Sequence, residues 1–480
     1  MPVNKTVASS HILHRSLVHE PQNIVSGSGI SFTLANGRKI IDASAGPAVS
    51  CLGHNQPEVV EAITKQLKEI AYVYSGSRYT CNAAEELASL LLEDKPGDLC
   101  KAIFVNSGSE ATDAALKLVS QYWHEKGERQ RVNFISRKQS YHGNTIGALS
   151  VSGHDSRREL YGQWLSQNVS FVDPCYAFRA KHHNETDGEY VERLRQQLDD
   201  EFLRLGPDTV AAFIAEPVSG TTLGCVPAVP GYFKAVREVC DKYGALLILD
   251  EIMCGMGKTG TEHAWQQEGS APDVQTIGKA LGGGFVPLSG VLLNRRVFDA
   301  LANGSGILAH GHTFQAHPTA CAGAVAVQKI IRRDNILANV RAMGLVLENE
   351  LRTQLRGLPF VADIRGRGLF WAVEFLEDRE KKLAFSPEKN FSNQIVDVAQ
   401  ELGLNILGNL GKTGEYDVEL IIMSPPYVVN EVEIREIVRL AKAAIVEVSD
   451  RYLAKTAEAR SRRHVVPPLE RYTGETRAVL

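Results

Sequence analysis

An α/β fold is what this sequence predicts: a mainly parallel sheet covered by helices on both faces, followed by a smaller α+β unit. Three observations carry the prediction. From Lys101 onward, apolar runs of strand length alternate with helical segments. Several of those runs stop at a polar residue with glycine close behind, the pattern of buried parallel strands. The chain has 480 residues, enough for more than one core.

Composition narrows the function classes. Apolar residues make up 44% and charged residues 22%, ordinary for a water-soluble globular enzyme. The net charge is −4 and no long basic block occurs, which argues against a nucleic-acid groove. No run of about twenty apolar residues appears, so no membrane span is expected. The N-terminal MPVNKTVASSHILHRSLVHE lacks an apolar signal core, and a cytoplasmic protein is expected. Eight cysteines are scattered without a CxxC pair or zinc spacing. They read as reduced, mostly buried thiols.

In chain order, a polar lead of about thirty residues comes first. The stretch GISFTLANGRKIIDASAG then alternates around Asn36-Gly37, a hairpin signal. PEVVEAITKQLKEI predicts a helix over 57–70 with Val60, Ile63, Leu67 and Ile70 on one face. A second helix starts near Asn82. Tyr72, Tyr74 and Tyr79 lie between the two; aromatics here can line a substrate pocket, but core packing is the expected role of each. KAIFV is a strand, and Ser107 with Glu110 reads as a capping box opening the next helix. Such a helix start is an anion site. VNFIS leads to Ser140-Tyr141-His142-Gly143, where the tyrosine ring can lie on a planar ligand and the histidine reads as a structural donor. Residues 173–200 are polar and read as exposed loop and helix. VAAFIA delivers Glu216, and a helix follows that stops at Gly244.

The organising stretch runs from Ala245 to Pro287. One strand delivers Asp250 and Glu251; the next delivers Lys279 ahead of Gly282, Gly283 and Gly284. Ligands of parallel sheets sit beyond the strands' carboxyl ends. A carboxylate and an amine are therefore expected in one crevice. A lysine in an apolar site loses pKa and becomes a nucleophile toward an aldehyde. Ser107, Tyr141, Glu216, Asp250 and Lys279 each follow a predicted strand, which supports a single site.

At LDEIMCGMGKTG and GKALGGGFVPLSG the chain resembles the class III, pyridoxal-phosphate-dependent aminotransferases, the ornithine and omega-amino-acid group. The resemblance spans about Asp42 to Pro426 and implies the fold type I transferase architecture. It implies a transaminase moving an amino group from an amine or omega-amino donor to a keto acid. Lys279 would hold pyridoxal 5'-phosphate as a Schiff base, Asp250 its pyridinium nitrogen, and Ile252 its ring face. Ser107, Gly108 and Ser109 would take the phosphate, Tyr141 would stack, and Glu216 would sit near the cofactor oxygen. Thr313, in LAHGHTFQAHP, would reach the phosphate of a neighbouring subunit, which implies a homodimer with shared sites. A metal site at His310, His312 and His317 is the weaker reading, since carboxylate partners are missing.

The expected organisation is an N-terminal segment (1–70) packing with the small domain, a large cofactor domain (71–325) and a small C-terminal domain (326–480) with a peripheral tail. The C-terminal part predicts helices over 336–355, 390–402 and 430–452, with strands near 361–365, 369–374 and before Pro425-Pro426.

The chain departs from the family where an arginine often grips a substrate carboxylate. Ile422 stands there. Arg365 and Arg367, in IRGRGLF, read as turn residues. The donor is thus expected to lack a carboxylate at that point. A decarboxylase, racemase or aminomutase on the same scaffold is the alternative. A nucleotide-binding module is the rival of another class, weakened by the absence of a P-loop or a dinucleotide fingerprint.

Overall fold

A computed structural model describes residues 10–18, 20–408 and 413–464, with side chains of the last helix described to residue 456. Residues 1–9 of the expected lead and 465–480 of the expected tail lie outside the described residues.

Strands β1 (Ile24–Ser28), β2 (Ser31–Leu34) and β3 (Lys39–Asp42) form an antiparallel meander. The β2–β3 turn is the predicted Asn36-Gly37, with Gly37 at φ 84°, where a side chain would be strained. The predicted helix follows over Pro57–Glu69. Its apolar face divides: Val59 is buried and Ile63 packs on the core, while Val60, Leu67 and Ile70 are exposed. The expected core role of the tyrosines does not hold either. Tyr72, Tyr74 and Tyr79 are all exposed.

Seven strands build the main sheet: β4 (Leu99–Val105), β5 (Asn133–Arg137), β6 (Val169–Val172), β7 (Val210–Ala215) and, after a short hairpin of β8 (Val218–Ser219) and β9 (Val226–Pro227), β10 (Leu246–Asp250), β11 (Val274–Ile277) and β12 (Ser289–Asn294). Their order is β4–β12–β11–β10–β7–β5–β6, and only β12 runs against the rest. Strands β7, β10 and β11 are buried at every residue, as a sheet covered on both faces requires. The segment expected to be an exposed loop and helix carries the helix, but one of its faces is buried. Helix Asp187–Leu205 buries Tyr190, Leu194, Leu198 and Phe202, and Tyr176 before it is fully buried.

Helix Pro318–Arg333 packs Ala320 and Ala324 toward the helices Pro57–Glu69 and Asn82–Leu92. Beyond it, β13 (Val361–Arg367), β14 (Phe370–Phe375), β16 (Leu407–Gly408) and β17 (Glu419–Met423) form an antiparallel sheet in the order β13–β14–β17–β16. A short β15 (Leu404–Asn405) pairs in parallel with β3, so the N-terminal meander is hydrogen-bonded to C-terminal chain. Helices Ile336–Leu355, Phe391–Glu401 and Glu431–His464 cover this sheet; the last runs past the expected end at Tyr452. Among the described residues no helix is long and apolar enough to cross a membrane.

Candidate active site

The carboxyl end of β10 sets the centre. Asp250 Oδ1 accepts from Thr276 Oγ1 at 3.0 Å and from Ile252 N at 3.0 Å. Thr276 lies opposite Asp250 in the parallel β10–β11 register, so strand pairing orients this carboxylate. Its other oxygen lies 2.7 Å from His142 Nδ1. A carboxylate only accepts, so Nδ1 carries the proton and donates. That leaves His142 Nε2 buried without a partner. His142 was expected as a structural donor, and it does donate; what the sequence missed is that it lines the site. The neighbour Glu251 turns away, accepting from Ala264 N and Trp265 N at 2.7 Å each.

Lys279 follows β11 through Gly278. A Cβ on Gly278 would lie 2.4 Å from Ser289 Oγ, so glycine permits the close passage of β11's end against β12. Lys279 itself sits at φ 45°, a left-handed conformation that costs a non-glycine residue about 1–3 kcal/mol. Its amine has no hydrogen bond or ion pair among the described residues. Burial lowers its pKa, against the opposing pull of Asp250 and Glu216. The residue touches solvent only partly, so desolvation dominates.

Glu216 leaves β7 and is buried. Its Oε1 accepts from Gly220 N at 2.9 Å, and its Oε2 lies 3.5 Å from Tyr141 N. Burial raises its pKa. Gly108 and Ser109 open the helix Gly108–Glu125, and Ser109 Oγ accepts from Asn144 N at 2.9 Å.

These groups enclose a cavity of about 170 Å³. Of the expected residues, Gly108, Ser109, Tyr141, Glu216, Asp250, Ile252 and Lys279 all line it. His142, Gly143, Met253 and Ser289 line it too, without having been expected. For His142 and Gly143 the signal was adjacency to Tyr141; Ser289 enters only because antiparallel β12 starts beside β11, and pairing partners are not written in sequence.

Two expected residues stand apart. Ser107 is exposed outside the cavity, its hydroxyl capping the helix by accepting from Glu110 N at 3.2 Å. The capping box is only half formed, because Glu110 Oε2 takes Asn106 N at 2.7 Å and not the Ser107 N–H. Thr313 is also exposed and outside the cavity, its carbonyl accepting from Tyr72 Oη at 2.8 Å.

The arginines correct the sequence reading. Arg365 and Arg367 lie in β13 and not in a turn. Arg365 is committed to Asp363 at 2.8 Å, Glu374 at 2.5 Å and the Leu223 and Gly224 carbonyls. Arg367 pairs with Glu268 at 2.7 Å. Ile422 is fully buried in an apolar cluster with Val218, Phe370 and Ala372. Lys258, from GMGKTG, is buried and donates to the Ser424 and Pro425 carbonyls at 2.9 and 3.0 Å. It ties the Asp250 loop to the Pro-Pro segment, and burial lowers its pKa to about 7.

The residues fit a flat anionic aldehyde cofactor. Around one cavity, a helix start and Ser109 offer donors, Lys279 a desolvated amine, Asp250 an oriented carboxylate, and Tyr141 and Ile252 apolar surface. A Cβ on Gly108 would come within 2.9 Å of Ile252 Cγ2, so glycine keeps the helix start and that surface together. No group of three or more metal-type ligands occurs among the described residues, His310 and His312 included. All eight cysteines are free, and six are buried.

The family model described as aminotransferase class-III matches residues 14–445. An aminotransferase of Schizosaccharomyces pombe is 42% identical over 442 residues, covering 92% of this chain and 96% of that one. A gamma aminobutyrate transaminase of Solanum lycopersicum is 33% identical, covering 87% of this chain and 79% of its own length. Among solved structures, the omega transaminase of Pseudomonas jessenii in complex with PMP superposes with a TM-score of 0.85 at 30% identity, over 90% of this chain and 93% of that one.

Proposed function

The chain belongs to the class III aminotransferases, pyridoxal-phosphate-dependent transaminases of fold type I, and from that premise we propose how its residues divide the work and what it accepts. The single observation that carries the reading is the convergence of Lys279, Asp250, Glu216 and Tyr141 on one cavity at the sheet's carboxyl edge. When bound, the cofactor supplies an electron sink for the bond broken at the substrate's amino-bearing carbon.

Lys279 Nζ is the covalent anchor of the cofactor aldehyde. Freed by the incoming amine, it moves the proton at that carbon; its lowered pKa makes a neutral, basic amine accessible. Asp250 holds the ring-nitrogen proton, oriented by Thr276 and His142. Ser109 and the helix start bind phosphate. Tyr141 and Ile252 hold the ring between them. Ser107 acts on this site only through the helix it caps.

We take residues 71–325 as the large domain and 326–480 as the small one, against which residues 1–70 pack, with β15–β3 pairing in support. The working unit is a cytoplasmic homodimer. Exposed Val60, Leu67, Ile70, Tyr72 and Phe314 form the kind of apolar surface a partner covers. Thr313, outside its own cavity, serves the partner's phosphate. Mixing Lys279→Ala subunits with Thr313→Ala subunits restores one good site per mixed dimer; mixed dimers without activity would refute the sharing.

The donor is an amine or omega-amino compound, and the acceptor a small keto acid. A buried carboxylate against Ile422 would be left unpaired, at a cost of about several kcal/mol. The test is a donor panel with pyruvate as acceptor: simple amines and omega-amino acids against ornithine, glutamate and alanine. Strong preference for glutamate would overturn the donor assignment.

A further inference from the structure

The acceptor's carboxylate needs a cation, and the structure rules out the arginines the sequence offered. Arg365 and Arg367 are held in ion pairs, and Ile422 is apolar. Arg137 is buried, donating to the Glu216 carbonyl at 2.7 Å behind the cavity wall. Arg158 is spent on the carbonyls of Leu149, Ser150 and Ser152 at 2.8–3.0 Å.

Arg157 differs from all of these. It lies in the short helix Asp155–Arg158, and its guanidinium lies 4.9 Å from the centroid of the Tyr141 ring, a wall of the cavity. Its side chain has no hydrogen bond or ion pair among the described residues. It is partly exposed, so it is neither locked in the core nor loose in solvent. Its neighbour His154 is buried and kept neutral, with a pKa lowered to about 4 by burial first and by Arg157 second. A planar, permanently charged fork with unspent donors, set against a ring that lines the cavity, is what bidentate carboxylate binding requires.

We propose that Arg157 is the carboxylate anchor of the keto-acid substrate, the specificity-determining cation that this chain uses where Ile422 supplies none. The guanidinium rests on Tyr141 and swings from the ring to the carboxylate when the acceptor enters. The proposal rests on the keto-acid acceptor of the function above.

The experiment uses the holoenzyme first converted to its aminated form by a carboxylate-free amine. Return of the cofactor absorbance is then followed with pyruvate and, separately, with a neutral aldehyde. In Arg157→Gln the ratio of the two second-order rate constants, pyruvate over aldehyde, falls by about 30-fold or more. Arg157→Lys restores part of that ratio, as a point charge without the fork. Thermal melts confirm folding of both variants. An unchanged ratio overturns the proposal. So does an equal loss with both acceptors, which would make Arg157 a support for Tyr141 only. Wild-type enzyme that aminates aldehydes but no keto acid would fail earlier, in the acceptor assignment, and Arg157's role would fall with it.

Discussion

Two buried charge clusters, one around Glu374 and one around Asp250, are built to opposite rules. Around Glu374, in β14, every oxygen is engaged: Arg179 donates to Oε1 from Nε at 2.8 Å, while Arg365 and the Tyr176 hydroxyl donate to Oε2. Around Asp250 the carboxylate is equally well oriented, yet its surroundings are left open. The amine of Lys279 has no partner among the described residues, and His142 Nε2 is buried unsatisfied. A buried polar group without a partner costs about 1–3 kcal/mol, so an open cluster persists only where something else meets that need. The closed cluster fastens β13 and β14 to the β8–β9 hairpin through Arg365; the open one lines the cavity. Burial of charge alone therefore does not mark a reaction centre. What sets the Asp250 cluster apart is unspent hydrogen-bonding capacity beside a cavity.

Breaking the open cluster should show the largest effect on rate. Asp250→Asn keeps the size but not the charge, and the expected loss in kcat/KM corresponds to about 3–4 kcal/mol, with little change in the melting temperature. An unchanged rate would contradict the ring-nitrogen role.

Breaking the closed cluster should do the reverse. Glu374→Gln leaves Arg179 in the core without a counter-charge and Arg365 with Asp363 alone, and removal of one member of a buried pair costs about 3–5 kcal/mol of stability. The measurement is denaturant unfolding beside activity of the folded fraction. Near-normal stability with lost activity would mean that the two clusters are one functional unit.

The smallest effect concerns pH. His154 and His263 are buried, and burial lowers both pKa values from 6.5 to about 4. Between those values the unfolded chain binds more protons, so stability rises with pH across the window and is lost as pH falls from 6.5 toward 4. Each can account for about 3 kcal/mol at most. His154→Gln should flatten part of the fall in melting temperature between pH 7 and pH 4.5. A fall as steep as wild type would assign acid lability elsewhere.

What was legible in the chain was whatever local chemistry writes down. Strand runs, the Asn36-Gly37 turn and the helix over 336–355 follow from side-chain periodicity and backbone preference. Asp250 and Lys279 were legible because each stands at the end of an apolar run. What tertiary structure alone decided was which neighbours those residues meet. Ser289 reaches the cavity because β12 is inserted antiparallel between β4 and β11. Val60, Leu67 and Ile70 present an apolar face to the outside, since periodicity defines a face but not what covers it. Arg365 and Arg367 end in ion pairs, and Arg157 ends beside Tyr141 with its donors unspent. A guanidinium carries the same charge wherever it sits. Whether that charge is structural or available depends on carboxylates and carbonyls that arrive from distant parts of the chain, and only folding brings them there.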